Sequence, residues 1–266
     1  MSFRDKTVLI TGASSGIGRE FAVQLAKQGA NLIITARSEG ELESLAASLQ
    51  ASHSNIWVKV VPLDLLQADS VKTLYSTIES MNLSVDYLIN NAGFGKFCEF
   101  TAEGFDTYQK MLTLNINALS ELSYVFLPHM KAQNAGGIIN VASIGSFQPL
   151  PYQAVYGASK AYVLSFSEAL SGELLDSNVH VMALCPGTTE SNFMTNANAD
   201  TSKMNLMPAS EVVSGALSAF AKRRHYVISG RINYLVSLVP RIVTRLKTIK
   251  IVASMFKESV LKKQGA

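Results

Sequence analysis

Short apolar runs alternate with helix-length segments along this chain, and that alternation restricts its fold more than any other feature. The apolar runs predict strands over Thr7–Ile10, Asn31–Thr35, Trp57–Pro62, Tyr87–Ile89, Gly137–Ala142, His180–Leu184 and Tyr226–Ile228. Stretches of helical period predict helices over Gly16–Gln28, Gly40–Gln50, Ser70–Met81, Phe105–Met130 and Tyr152–Leu175. Strands spaced this way read as βαβ units around a parallel sheet buried on both faces. Crossovers in such a sheet are right-handed. The expectation is a doubly wound α/β fold that binds ligands beyond the carboxyl ends of its strands. A length of 266 residues suits one large α/β domain, and 48% hydrophobic residues are ample for its core.

Other classes are disfavoured. No apolar run reaches the roughly 18 residues a spanning helix needs. The opening MSFRDKTVLITG leads straight into a strand without the apolar segment of a signal peptide. Cys98 and Cys185 lie far apart and suggest thiols in a reducing compartment, so the expected location is cytoplasmic. A net charge of +3 does not point to nucleic acid. It does conceal an asymmetry: residues 1–221 carry 12 Lys/Arg against 19 Asp/Glu, and residues 222–266 carry 11 against one.

The first strand runs into Thr11-Gly12-Ala13-Ser14-Ser15-Gly16-Ile17-Gly18 and then a helix. Gly12 permits a tight turn. Gly16 and Gly18 let backbone approach a pyrophosphate and let the helix pack on the strand, while the helix N-terminus offers N–H donors and a positive dipole end. About 20 residues after such a turn, a nucleotide-binding strand ordinarily ends in an acid that holds a ribose hydroxyl. Here it ends in Ala36-Arg37, a small residue followed by the opposite charge.

Further along, Ser143 follows a strand, and Tyr156-Gly157-Ala158-Ser159-Lys160 lies thirteen residues on. Spacing of i,i+4 puts Tyr156 and Lys160 on one helix face. A free tyrosine, with pKa near ~10, is a poor acid–base group at neutral pH. A nearby ammonium is expected to stabilise the phenolate and lower that value. Ser143 can donate a hydrogen bond to a carbonyl oxygen or alkoxide.

Taken together, these motifs resemble those of the classical short-chain dehydrogenases/reductases. The resemblance runs from Thr11 to Ser191: T-G-A-S-S-G-I-G at 11–18, Asp64-Leu65, N-N-A-G at 90–93, Asn115 in L-N-I-N, Ser143, Y-G-A-S-K at 156–160, and Pro186-Gly187. It implies a Rossmann-type seven-stranded sheet and a nicotinamide cofactor, with catalytic roles for Asn115, Ser143, Tyr156 and Lys160. The implied cofactor contacts are Gly12, Ser14, Ser15, Gly16, Ile17, Gly18, Arg37, Asp64, Leu65, Asn91, Ala92, Gly93, Pro186, Gly187, Thr189 and Ser191, with Tyr156 and Lys160. Thr189 and Ser191 stand where relatives usually carry a β-branched apolar residue and then a Thr. No metal ligand belongs to the set. In this family a small residue then a basic one after the second strand accompanies NADP(H). Arg37 can make a charge-assisted bond to the 2′-phosphate, with Ser14 adding a hydroxyl and Arg19 a less direct helper.

The resemblance implies hydride exchange between the nicotinamide and a carbonyl carbon, with Tyr156 moving the proton and Asn115 holding a water linked to Lys160. The resulting expectation is an NADPH-dependent carbonyl reductase. A non-catalytic dinucleotide-binding sensor or scaffold is the alternative, although such proteins usually lose the Tyr or Lys kept here. The segment after Pro186 carries Phe193, Met194, Met204, Leu206 and Met207. Either it covers a hydrophobic carbonyl substrate, with Phe94, Phe97 and Phe147 at the mouth, or it simply packs on the core. The Phe105–Met130 and Tyr152–Leu175 helices resemble those by which relatives pair, so a homo-oligomer, dimer or tetramer, is expected.

The reading divides the chain into a dinucleotide-binding and catalytic domain at 1–229 and a basic amphipathic extension at 230–266. In the extension, Pro240 is expected in the first turn of a helix beginning near Val239. Val239, Ile242, Leu246, Ile249, Ala253, Phe256 and Val260 then follow helical spacing, with Arg241 and Arg245 on one flank and Lys247 and Lys250 on the other. This pattern fits a helix lying peripherally at a membrane surface; it also fits one that packs its stripe on the domain, closing the substrate mouth, or on a second subunit.

Overall fold

The protein is described from a computed structural model covering residues 2–193, 197 and 205–264. Its seven strands are β1 (Thr7–Thr11), β2 (Asn31–Thr35), β3 (Val58–Val60), β4 (Tyr87–Asn90), β5 (Gly137–Val141), β6 (His180–Cys185) and β7 (Tyr226–Ile228). They form one sheet in the order β3-β2-β1-β4-β5-β6-β7, and every neighbouring pair is parallel. The doubly wound, Rossmann-type expectation is therefore met. The strand order reverses direction between β1 and β4, which opens a crevice at their carboxyl ends.

The strands alternate sides with a period of two. On one face, Val8, Ile10, Leu32 and Ile34 pack with α1 (Gly16–Lys27), α2 (Glu39–Ser52) and α7 (Ala209–Ala221) through Phe21, Leu42, Val212 and Phe220. On the other, Leu9, Ile33, Leu88 and Ile138 pack with α3 (Ser70–Ser80) and α5 (Leu119–Gln133) through Leu74, Ile78, Leu122 and Phe126. Helix α6 (Ala154–Glu173) adds Val163 and Leu164 against Ala183 and Cys185. Both cysteines are free. The edge strand β3 is shorter than its apolar run over Trp57–Pro62, although the Val61 and Leu63 N–H groups still donate to the Ile34 and Ala36 carbonyls of the neighbouring β2 segment, both at 3.0 Å.

Two predicted helices come out differently. The apolar period of Phe105–Met130 predicts one continuous helix. The structure instead has α4 (Phe105–Leu112), a π-helical turn over Thr113–Ala118, and then α5. The widened turn carries Asn115 in the interior, and such turns recur at functional sites. In the C-terminal extension, Pro240 does not open a helix. It falls in the last turn of α8 (Arg231–Ile242), and α9 (Arg245–Gln264) follows after a break at Val243. Helix α8 starts directly after Gly230, whose φ of 88° favours glycine. Pro240 lacks the N–H that would continue the ladder, and α8 ends two residues later. The predicted stripe is divided by this break. Val239, Ile242 and Leu246 are exposed, whereas Val260 is buried and Phe256 meets Phe97 with ring centroids 5.6 Å apart.

Candidate active site

The glycine turn sits at the carboxyl end of β1, tied to β4. Thr11 Oγ1 accepts hydrogen bonds from the backbone N–H groups of Asn91 and Ala92, both at 3.0 Å. Asn91 Nδ2 in turn donates to the carbonyls of Thr11 and Gly12 at 3.0 and 3.1 Å. No side chain caps α1 and no acid lies in its first turn, so its leading N–H groups are left for an anionic ligand. Gly16 has φ 53°, and a Cβ there would lie 2.8 Å from Cβ of Ser191. The turn can thus close against the segment after Pro186 only as glycine.

From this turn a cleft of about 550 Å³ runs along the strand ends, within the size range of small-molecule sites. Its walls include Gly12, Ser14, Ser15, Gly16, Ile17, Arg37, Asp64, Leu65, Asn91, Ala92, Gly93, Ser143, Tyr156, Lys160, Pro186, Gly187, Thr189 and Ser191. Two predicted residues lie behind the wall. Gly18 packs against the Gly12 carbonyl, where a Cβ has no room. Asn115 is fully buried. Arg19 is exposed and does not line the cleft.

At one end of the cleft, Ser14, Arg37 and Ser38 surround the carboxyl end of β2, together with Thr35. Thr35 Oγ1 is buried without a hydrogen-bond partner among the described residues. Arg37 is exposed and joins none of the ion pairs among those residues. Asp64 Oδ1 is held by the Leu66 N–H at 3.0 Å. Lys110 and Leu114, one turn apart across α4 and the π-turn, also line the cleft. No sequence motif marks them; only the fold brings that helix face to the cleft.

Ser143, Tyr156 and Lys160 line the same cleft. Ser143 Oγ accepts from the Gly145 N–H at 3.0 Å, which fixes its rotamer at the end of β5. Tyr156 is partly open to the cleft, but protein atoms crowd its hydroxyl. That burial pushes its pKa up to about 12, with Ser143 acting in the opposite direction. The net shift is thus upward, against the expectation of a lowered value, because burial outweighs the other causes and Lys160 is not among them. Lys160 Nζ lies 5.9 Å from the Tyr156 ring centroid and donates to the Val141 carbonyl at 2.7 Å. Burial dominates both groups and lowers Lys160 to about 8.

Asn115 works on the loop above these groups. Its Oδ1 accepts from the Phe94 N–H at 3.1 Å, and its Nδ2 donates to the Phe94 carbonyl at 2.9 Å and to Ser159 Oγ at 3.0 Å. It therefore clamps the β4 loop to α6, one residue from Lys160. A Cβ on Gly93 would lie 2.9 Å from Asn115 Oδ1, so the loop can pass this close only as glycine.

Of the aromatic residues expected at the mouth, Phe94 lines the cleft, as does Phe193 of the expected covering segment. The Phe193 and Tyr156 ring centroids are 5.5 Å apart. Phe97 pairs with Phe256 of α9 instead. Phe147 is turned onto the core beside Tyr226, with ring centroids 5.9 Å apart. Met207 packs against the core and bridges to Thr189. Met194 and Met204 lie outside the described residues.

The sequence pattern of the short chain dehydrogenases matches residues 6–202. An uncharacterised oxidoreductase of Staphylococcus aureus (strain USA300) is 30% identical over 221 residues, 83% of this chain and 93% of the relative. Among solved structures, a short-chain dehydrogenase from Sphingobium yanoikuyae in complex with NADPH is 32% identical with a TM-score of 0.80, covering 84% of this chain and 87% of that one. A short chain dehydrogenase/reductase from Burkholderia phymatum in complex with NAD is 25% identical with a TM-score of 0.83, covering 93% and 96%. The parallel sheet, the glycine turn at its switch point and these matches agree: the chain belongs to the short-chain dehydrogenase/reductase family of oxidoreductases.

Proposed function

We propose that the protein is an NADPH-dependent carbonyl reductase acting on hydrophobic aldehydes or ketones. The observation that carries this reading is that Arg37 and the Ser143–Tyr156–Lys160 set line one continuous cleft. The cleft fits a dinucleotide. It has uncapped helix N–H groups for the pyrophosphate, and Thr35 Oγ1 has no hydrogen-bond partner among the described residues near its Arg37 end. Ser14, Arg37 and Ser38 supply donors for a 2′-phosphate, and Arg37 has no ion-pair partner among the described residues that would compete. NADPH, when bound, supplies the hydride.

The chain's own groups then handle the oxygen. Ser143 donates a hydrogen bond to the substrate carbonyl oxygen and orients it. Tyr156, kept neutral by its raised pKa, donates the proton to that oxygen. The Lys160 ammonium offsets the negative charge left on the phenolate. Asn115 holds the Phe94 loop and α6 in register. Phe94 and Phe193 line the cleft with apolar surface, which favours a hydrophobic substrate. With NADPH deuterated at the transferable position of C4, the label should appear on the carbinol carbon of the alcohol product. Label in solvent, or no alcohol, contradicts the proposal.

The proton-holding groups set the pH response. Tyr156 stays protonated through the neutral range. Lys160 loses its positive charge as pH rises past about 8, and with it the support for the phenolate. Reductive kcat/KM should therefore hold steady below that pH and fall above it. A rate that climbs through the same interval contradicts these roles.

The paired-helix expectation is kept as part of the proposal. Phe105 is 64% exposed, Tyr124 80% and Tyr162 40% on the outward faces of α4, α5 and α6. Aromatic surface of this kind is characteristic of protein interfaces. Light scattering at micromolar concentration should give at least the mass of a dimer, and a monomer mass contradicts it.

A further inference from the structure

Helix α8 is folded against the domain with Asn233 and Ser237 inward, while Arg231 and Arg241 stay exposed. Ser237 is 4% exposed, and Asn233 Nδ2 donates to the Ser229 carbonyl at 2.6 Å. Asn233 also lies over Gly187, where a Cβ would have no room. The Gly187 contact and the burial of Ser237 set the rotation of the helix. As a result, its apolar side faces outward: Ile232 is 73% exposed, Leu235 63%, Val236 40%, Val239 37% and Ile242 84%. At about 100° per residue these five fall in an arc of roughly 120°, a typical apolar stripe that should face a core. On a surface helix of a water-soluble domain the two sides are ordinarily the other way round. Helix α9 does not cover this stripe. It buries Thr248 and Val252, sets Phe256 on Phe97, and leaves Leu246, Ile251 and Met255 exposed.

Charge identifies the occupant. Residues 230–266 hold eight Lys/Arg and a single acid, Glu258. Arg241, Arg245, Lys247 and Lys250 are exposed and join none of the ion pairs among the described residues. A second copy of the chain would bring the same cations against each other. An anionic surface complements them, and a fluid apolar layer beneath it accepts a stripe of Ile, Leu and Val without shaped pockets. No helix among the described residues is long and apolar enough to cross a membrane, so the contact lies in the plane of the interface.

We propose that the α8 stripe, with the cations that follow it, docks the protein onto an anionic lipid surface. Helix α8 rests on the Ile144–Phe147 turn and β7, which places the docked face beside the wall of the cleft.

The test is co-sedimentation of the full chain with vesicles of phosphatidylcholine alone or mixed with phosphatidylserine, at low and high salt. Two double variants separate the contributions: Leu235→Asn with Ile242→Asn, and Arg241→Gln with Arg245→Gln. All four side chains are exposed or lie outside the cleft, and circular dichroism and NADPH-linked activity on a soluble aldehyde check that each variant is folded. The expected result is binding to mixed vesicles that salt weakens, with each double variant weakening it by on the order of tenfold or more. Three results overturn the proposal: a full chain that ignores mixed vesicles at low salt, vesicle binding unchanged by the Leu235/Ile242 variant, or a light-scattering mass that falls in that variant because the face joins two copies.

Discussion

Tyr156→Phe is expected to lower turnover by about 100- to 10,000-fold or more, the loss typical of removing a general acid, while NADPH binding is largely kept. The substitution retains the ring. It therefore preserves the contact with Phe193 at 5.5 Å and the close fit under Gly95, whose Cβ position lies 2.9 Å from Cδ2 of the ring. Only the hydroxyl is lost, and in the proposed reaction that hydroxyl is the sole carrier of the transferable proton. Neighbouring groups offer no substitute: Lys160 Nζ is engaged with the Val141 carbonyl, and Ser143 has too weak an acid function at neutral pH. Steady-state turnover of one hydrophobic aldehyde, paired with NADPH titration by fluorescence, separates chemistry from binding. Near-normal turnover in the variant would sink the proton-donor role.

Arg37→Asp is expected to reduce the preference for NADPH over NADH by roughly 10- to 100-fold or more. A hydrogen bond to a charged group contributes about 1.5–3 kcal/mol, and the substitution replaces that attraction by repulsion between two anions. The side chain is exposed and has no ion-pair partner among the described residues, so the fold should not suffer. The effect should therefore appear in the ratio of kcat/KM values for the two cofactors, with the melting temperature unchanged. An unchanged ratio, or a wild type that already prefers NADH, removes Arg37 from cofactor choice.

The sheet was legible because its signal is local and redundant. Runs such as Val8-Leu9-Ile10 and Leu32-Ile33-Ile34 are buried on both faces, so every residue in them reports a strand. The glycine turn was legible for a similar reason: Gly12, Gly16 and Gly18 each meet a neighbour where a Cβ would not fit. What escaped depends on geometry that spacing does not encode. The π-turn at Thr113–Ala118 buries Asn115 and Ala118 while shifting the register, and apolar spacing alone does not reveal the extra residue. The i,i+4 spacing does put Tyr156 and Lys160 on one face of α6. The balance of burial against charge, however, depends on where Lys160 Nζ turns, and it turns to Val141. In the C-terminal extension, Pro240 suited either a first turn or a last one. The left-handed Gly230 and the Asn233 contact decide for the last, and they turn α8 apolar side out.

The central claim is that this cleft reduces carbonyls at the expense of NADPH. It is tested most directly by following NADPH and NADH consumption in parallel over a panel of hydrophobic aldehydes and ketones with the purified full chain. The account predicts carbonyl-dependent oxidation of NADPH with at least one apolar member of the panel, slower oxidation of NADH with the same compound, and loss of both in Tyr156→Phe. Dinucleotide binding without any carbonyl-dependent oxidation across the panel would contradict it.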